Sequence, residues 1–181
     1  MRRWKIPAPA LAVATAALLS RAAIAQDRSG AHLHELVRGI TVTPRVLTIG
    51  AHPDDDDPDL IAWLARGHMV ETGYLSITRG ESGQNFLSAD VGTFLGAVRT
   101  GESIAARRID GGRQFFTRAY DFGVARNADD AFKHWPRDSV LGDIVIVIRS
   151  FRPQVIVVAG NDGIVDENGQ HAATGGTSES R

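Results

Sequence analysis

The patterned part of the chain begins with Val46, Leu47 and Ile49, a short apolar run that stops abruptly at His52-Pro53-Asp54-Asp55-Asp56-Asp57. A run of this length reads as a buried strand. The histidine and carboxylates at its end place candidate chemistry at the carboxyl edge of a sheet, where open α/β folds hold ligands. Asp57 before Pro58 marks a helix start, Leu60, Ile61, Trp63 and Leu64 supply one apolar face, and Gly67 is the stop. Val70, Leu75 and Ile77 form a second strand, followed at the same sheet edge by the Gly-rich loop Thr78-Arg79-Gly80-Glu81-Ser82-Gly83. Phe94 to Ile109 carries Leu95, Val98, Ile104 and Ala105 near helical spacing, weakened by Gly96 and Gly101 at up to about 1 kcal/mol each. Gln114 to Phe116 reads as a short strand. Asp138 is the expected cap of a helix from Ser139 to Phe151, with Val140, Leu141, Ile144, Val145 and Ile148 inward and Pro153 enforcing its end. The β-branched run from Gln154 to Ala159 predicts a central parallel strand covered on both faces. Strands alternating with helices predict an α/β fold, a Rossmann-like three-layer α/β/α sandwich on a mostly parallel sheet.

Composition adds one domain of ordinary globular balance, 181 residues with 43% hydrophobic and 23% charged. The beginning is of another kind: Arg2, Arg3 and Lys5 precede an apolar stretch from Pro7 to Leu19, and Ala23-Ile24-Ala25 offers small residues for cleavage. Residues 1–25 are therefore expected to be a secretory signal peptide, the apolar run being shorter than the roughly 20 residues of a membrane span. The expected location is periplasmic or secreted, with no stable membrane insertion after cleavage. Cleavage removes four basic residues and no acidic ones, taking the formal charge from −1 to −5, so a nucleic-acid partner is not expected. With no cysteine, disulfides and thiolate ligands are excluded. Residues 26–44 read as a polar lead-in with a short helix near His34 to Val37, and residues 45–181 as the functional domain.

Of the six histidines, His32, His34, His68 and His134 lie in polar or helix-flanking segments and read as surface residues. His52 and His171 each follow a buried strand, so both project from one sheet edge. A histidine and a carboxylate from one loop with a histidine from another make a metal set that leaves a position open for water, zinc being the default ion. The competing readings are a helix N-terminus carrying extra charge and a loose calcium loop.

Ile49-Gly50-Ala51-His52-Pro53-Asp54-Asp55, then Thr78-Arg79-Gly80-Glu81, then Gly169-Gln170-His171 together resemble the PIG-L/LmbE family of metal-dependent deacetylases, over roughly residues 45–175. Gly83-Gln84-Asn85 and Arg107-Arg-Ile-Asp-Gly-Gly-Arg113 resemble a secreted bacterial branch of it. The resemblance implies that His52, Asp55 and His171 bind Zn2+ and that Asp54 is the general base, passing a water proton to the departing nitrogen. It implies an N-acetylated amino sugar or glycoconjugate as substrate. Arg79, on the second loop, is the candidate for holding a substrate hydroxyl or phosphate, against an ion pair with Glu81 or the aspartates. Asp56 and Asp57 are expected to support and cap, and Tyr120, Asp121 and Phe122 to pack near the pocket.

Two departures from the family pattern stand out. Asn168 occupies a position where the family often has a second histidine; its amide can donate toward an oxyanion but cannot carry a proton. After His171 only ten residues without apolar periodicity remain, whereas family members continue, so the C-terminal part of the domain is expected to be missing. The leading expectation is a zinc-dependent exported N-deacetylase. The alternative is a non-catalytic glycan- or metal-binding remnant of a larger secreted protein, with a metal phosphoesterase and a nucleotide-binding domain behind it.

Overall fold

The computed structural model describes residues 30–83, 91–159 and 169–178. The expected signal peptide, residues 1–25, lies outside them, as does Asn168. The chain divides into two units, Met1–Val42 and Thr43–Arg181. In the first, the helix anticipated near His34 to Val37 runs longer, as α1 (Gly30–Gly39), with Arg38 in its last turn where a cation suits the helix dipole.

The second unit contains β1 (Arg45–Gly50), α2 (Pro58–Ala62), β2 (Glu71–Ser76), α3 (Gly92–Asp110), β3 (Arg113–Phe116), α4 (Ala128–Phe132), α5 (Arg137–Phe151), β4 (Val155–Val158) and α6 (Gly169–Ser178). The strands form one parallel sheet in the order β3-β2-β1-β4. Because parallel crossovers are right-handed, stepping from β1 out to β3 and then back across to β4 sends the connecting helices to opposite faces. The helix contacts follow suit: α2 packs on α3, and α5 on α6. The point where strand order reverses lies between β1 and β4, which is where such sheets open a ligand crevice.

Leu47 and Ile49 of β1 and Leu75 of β2 are fully buried and join Trp135, Val140, Ile144 and Phe151 in the core. α5 begins at Arg137 and buries Val140, Ile144, Val147 and Phe151, ending in left-handed Arg152 ahead of Pro153. Asp138 is in its first turn rather than at its cap. Asp57 does cap α2, accepting from Leu60 N at 2.9 Å with Pro58 behind it. That helix is α-helical only to Ala62 and continues to Gly67 as a π-helical turn, so Ile61 points inward while Trp63 is exposed and meets His68 edge-on.

Two further expectations are corrected. In α3, Leu95 is buried as expected, but Val98, Ile104 and Ala105 are exposed; the other inward residues are Gly96, Arg99, Ser103, Arg107 and Asp110, spaced by three or four. That face meets the loops holding Asp56 and Glu81, and buried Arg107 pairs there with Asp56 and Asp110. β4 has the composition of a strand covered on both faces, but β1 and β2 hold the interior positions. Among the described residues β4 pairs with β1 alone, and Val155, Ile156 and Val157 are 50%, 40% and 41% exposed.

Candidate metal centre

The loop after β1 is built by a close approach. A Cβ on Gly50 would stand 2.4 Å from the Tyr74 hydroxyl and 2.8 Å from Asp55 Cβ, so only glycine lets residues 52–55 fold back over the strand end. Buried Tyr74, from β2, donates its hydroxyl to His52 O and pins that loop from below. Thr78 closes the neighbouring edge, its Oγ1 and N both donating to Ala51 O at 2.9 Å. Inside the loop His52 N donates to Asp55 Oδ2 at 2.8 Å, which turns the aspartate toward the His52 ring.

Three side chains converge there. His52 Nδ1 is 3.1 Å from His171 Nε2 and 3.4 Å from Asp55 Oδ2, and His171 Nε2 is 3.2 Å from the same oxygen. Among the described residues this is the one set of His and Asp donors close enough to share an ion. Tetrahedral ligands at zinc distances of about 2.0–2.1 Å stand roughly 3.3 Å apart, so the triangle has the edge length that a small divalent cation requires. The donor set, two imidazoles and one carboxylate, suits zinc and its first-row neighbours better than calcium, which takes six to eight oxygens.

The electrostatics match that use. Burial opposes charge on Asp55, yet hydrogen bonds from His171 and His52 hold its carboxyl far below the ordinary range, so it stays ionised. Burial likewise opposes charge on His52, but the Asp55 hydrogen bond and the charges of Asp55 and Asp121 raise its pKa above the ordinary 6.5. Burial together with the Asp55 and Asp56 charges pushes the Tyr74 phenol well above 10, keeping it a donor to the loop.

Asp54 stands beside the triangle, its side chain 69% exposed, with Oδ2 2.9 Å from Arg99 Nη2. His52, Asp54, Asp55, Ser82, Gly83, Arg99, Asp121 and His171 share the walls of a cleft of about 310 Å3. Arg79 is not among the described residues lining it. Its guanidinium lies over the Phe116 ring at 4.6 Å and donates to Thr117 O at 3.1 Å, facing a separate surface hollow beside Arg118 and Asp143. A cation that does line the cleft is Arg99 of α3, which nothing in its local sequence sets apart. The glycines of the Gly80 to Gly83 loop give the clue in retrospect: a Cβ on either would come within 2.1 and 2.3 Å of Arg99 Nη1.

The aspartates divide as anticipated in part. Asp56 pairs with buried Arg107 Nη2 at 2.5 Å, Arg107 also reaches Asp110, and Asp57 caps α2. Of the residues expected near the pocket, Phe122 stacks on His134, and Tyr120 offers its carbonyl to Trp135 Nε1. Asp121 does more, accepting from Ser82 N, Gly123 N and Gln170 Nε2 beneath the histidines. Buried Glu81 ties the same loops together by accepting from Arg79 N and Asp121 N.

Set against known proteins, the sequence matches over residues 47–179 the family model described as PIG-L, GlcNAc-PI de-N-acetylase. The 1D-myo-inositol 2-acetamido-2-deoxy-alpha-D-glucopyranoside deacetylase of Rhodococcus jostii is 36% identical over 136 residues, covering 66% of this chain and 47% of that protein. Its counterpart in Geodermatophilus obscurus is 31% identical over 147 residues, 72% of this chain and 48% of the relative. The chain thus spans about half the length of these curated relatives. By structure, it superposes on the N,N'-diacetylchitobiose deacetylase of Pyrococcus horikoshii with a TM-score of 0.59 at 20% identity, covering 87% of this chain and 56% of the other. The 4-carboxy-2-hydroxymuconate hydratase GalB of Pseudomonas putida follows, at 0.57 and 17%, covering 75% and 54%. A zinc-inhibited form of a teicoplanin deacetylase gives 0.52 at 18%, covering 74% and 61%. These structural likenesses concern the fold, which one hydratase and two deacetylases share. With a family match over most of its length, and with the His52, Asp55 and His171 triangle at the switch point of the sheet, the chain belongs to the PIG-L family.

Proposed function

We propose that the protein is a metal-dependent N-deacetylase that removes an acetyl group from an N-acetylated amino sugar or glycoconjugate. The observation that carries the reading is the three-donor triangle with Asp54 beside it in one open cleft. His52, Asp55 and His171 would hold the cation. When bound, a divalent cation supplies a Lewis acid that polarises the acyl carbonyl and acidifies a water. The chain's own residues do the rest. Asp54, exposed to the cleft, takes the proton of the water whose oxygen bonds to the acyl carbon. As the carbon–nitrogen bond breaks, Asp54 returns that proton to the nitrogen, and acetate and a free amine leave. Arg99 orients the carboxylate through its Nη2, itself positioned by Nη1 donating to Gly80 O at 3.2 Å. The sugar-amide substrate class rests on what the Rhodococcus and Pyrococcus relatives act on.

The test is acetate release from N-acetylglucosaminyl inositol, diacetylchitobiose and N-acetylglucosamine, with the protein stripped and then reloaded with zinc, cobalt, manganese or nickel. Release that chelator abolishes and one of these ions restores is the expected result. Asp54→Asn should keep the metal and lose activity by about 100-fold or more, the contribution of a general base. Undiminished turnover in that variant would overturn the role of Asp54. Metal bound without release from any substrate would favour the binding-only reading. Export is part of the proposal, supported by the basic and then apolar beginning of the chain; processing at Ala25 in an expressing bacterium, read by N-terminal sequencing, tests it. No helix of the described residues is long and apolar enough to cross a membrane.

A further inference from the structure

The hydrogen bonds behind His52 carry a polarity that determines how that ring faces the proposed ion. Gln170, one residue before His171 at the start of α6, is fully buried. Its Nε2 faces two acceptors, Asp121 Oδ1 at 3.0 Å and Gly123 O. Turning the amide over would set its carbonyl oxygen against a carboxylate and a backbone carbonyl, so both amide protons are committed to that side. Asp121 is buried and already accepts from Ser82 N and Gly123 N, so it meets Gln170 as an acceptor. Gln170 Oε1 is therefore left as an acceptor, 3.1 Å from His52 Nε2. In the neutral ring an acceptor there, closer at 3.1 Å than Asp55 Oδ2 is to Nδ1 at 3.4 Å, places the proton on Nε2 and leaves the lone pair on Nδ1, the atom that faces His171 and Asp55.

We propose that Gln170 is a positioning residue that, oriented by Asp121 and Gly123, locks His52 in its Nε2–H tautomer and so selects Nδ1 as the metal-binding atom. The inference rests on the metal-site reading above. The hydrogen-bonded route from Asp121 to the ring runs through the neutral amide, Asp121 Oδ1 itself being 4.0 Å from His52 Nε2. The lock joins the loops after β1 and β3 to α6, so each of the three contributes either a ligand or the group that aims one. Outer-shell partners of this kind are commonly worth 10–100-fold in metal affinity.

The experiment is long-range proton–nitrogen NMR of the histidine rings in the full chain at alkaline pH, with and without zinc, His52 being assigned by its loss in His52→Gln. The expected pattern is a proton-bearing Nε2 in both states and an Nδ1 resonance that moves on zinc addition. A proton on Nδ1, or zinc shifting Nε2, would overturn the proposal. If zinc fails to bind, the metal reading falls, yet the metal-free spectrum still reports the tautomer and decides the lock separately. Gln170→Leu, near-isosteric and without an acceptor, should release the tautomer preference and weaken zinc binding by 10–100-fold while circular dichroism stays unchanged. An unaltered tautomer and affinity in that folded variant would also overturn it.

Discussion

At the scale of single residues, the site depends on atoms that do no chemistry. Gly50→Ala would drive a methyl into the Tyr74 hydroxyl and Asp55, and overpacking of this kind costs about 1–3 kcal/mol. The expected outcome is a lower melting temperature together with weaker zinc binding; a variant that melts lower but binds zinc unchanged would show that the loop is not seated on Gly50. The His52 proton supplies a second expectation. Ligation needs a neutral ring, and this ring holds its proton above the ordinary pKa of 6.5, with Asp55 the group that raises it against burial. Apparent metal affinity should therefore fall as pH drops through that raised value, with protons released on binding. In the metal-free protein the sign reverses: the His52 contribution to stability is complete below about 6.5 and is lost as pH rises through the raised value. Calorimetric titration across neutral to mildly acidic pH, in buffers of different ionisation enthalpy, checks the first; flat affinity would contradict it. The motif residues themselves were legible at this scale. His52, Asp55 and His171 do converge, whereas Arg79, read as a cleft residue from its place in a Gly-rich loop, is turned onto Phe116. Sequence locates a residue on a loop and says nothing of which side of the loop its side chain takes.

At the scale of elements, α3 is the helix that pattern reading misjudged, and two of its glycines separate the causes. Gly96 lies under Glu81, whose Cγ a methyl would meet at 2.7 Å, while Gly101 has nothing within 4 Å. Gly96→Ala should destabilise by about 1–3 kcal/mol, and Gly101→Ala should stabilise by up to about 1 kcal/mol, the helix-propensity difference. Thermal melts of the pair decide it, and equal shifts would mean that the Glu81 clamp is not formed. The same helix seats Arg107 between Asp56 and Asp110. Arg107→Met would leave two poorly solvated carboxylates without their cation and should cost about 3–5 kcal/mol in denaturant unfolding. A loss below 1 kcal/mol would show that the two aspartates find other partners. Hydrophobic periodicity finds Leu95 but not the rest of this face, because Arg107 is buried against Asp56, a partner on a distant loop, as well as against Asp110.

At the scale of the whole molecule, strand order decides both stability and site. β1 is paired on both sides and β4, among the described residues, on one. Amides of β1 should accordingly exchange with solvent far more slowly than those of β4 in hydrogen-exchange measurements, and comparable protection would mean that a further partner covers β4. The sequence by itself determined that strands and helices alternate, that a parallel sheet results, and that His52, Asp55 and His171 are the candidate donors that converge. Those conclusions follow from local patterns, a buried strand being apolar and a capped helix being marked at its ends. Only the tertiary structure decided that, among the described residues, β1 is paired on both sides and β4 on one, that Arg99 rather than Arg79 lines the cleft, and that Gln170 and Asp121 stand behind His52. Each of these depends on pairing order or side-chain direction between separate elements of the chain, which no local pattern carries.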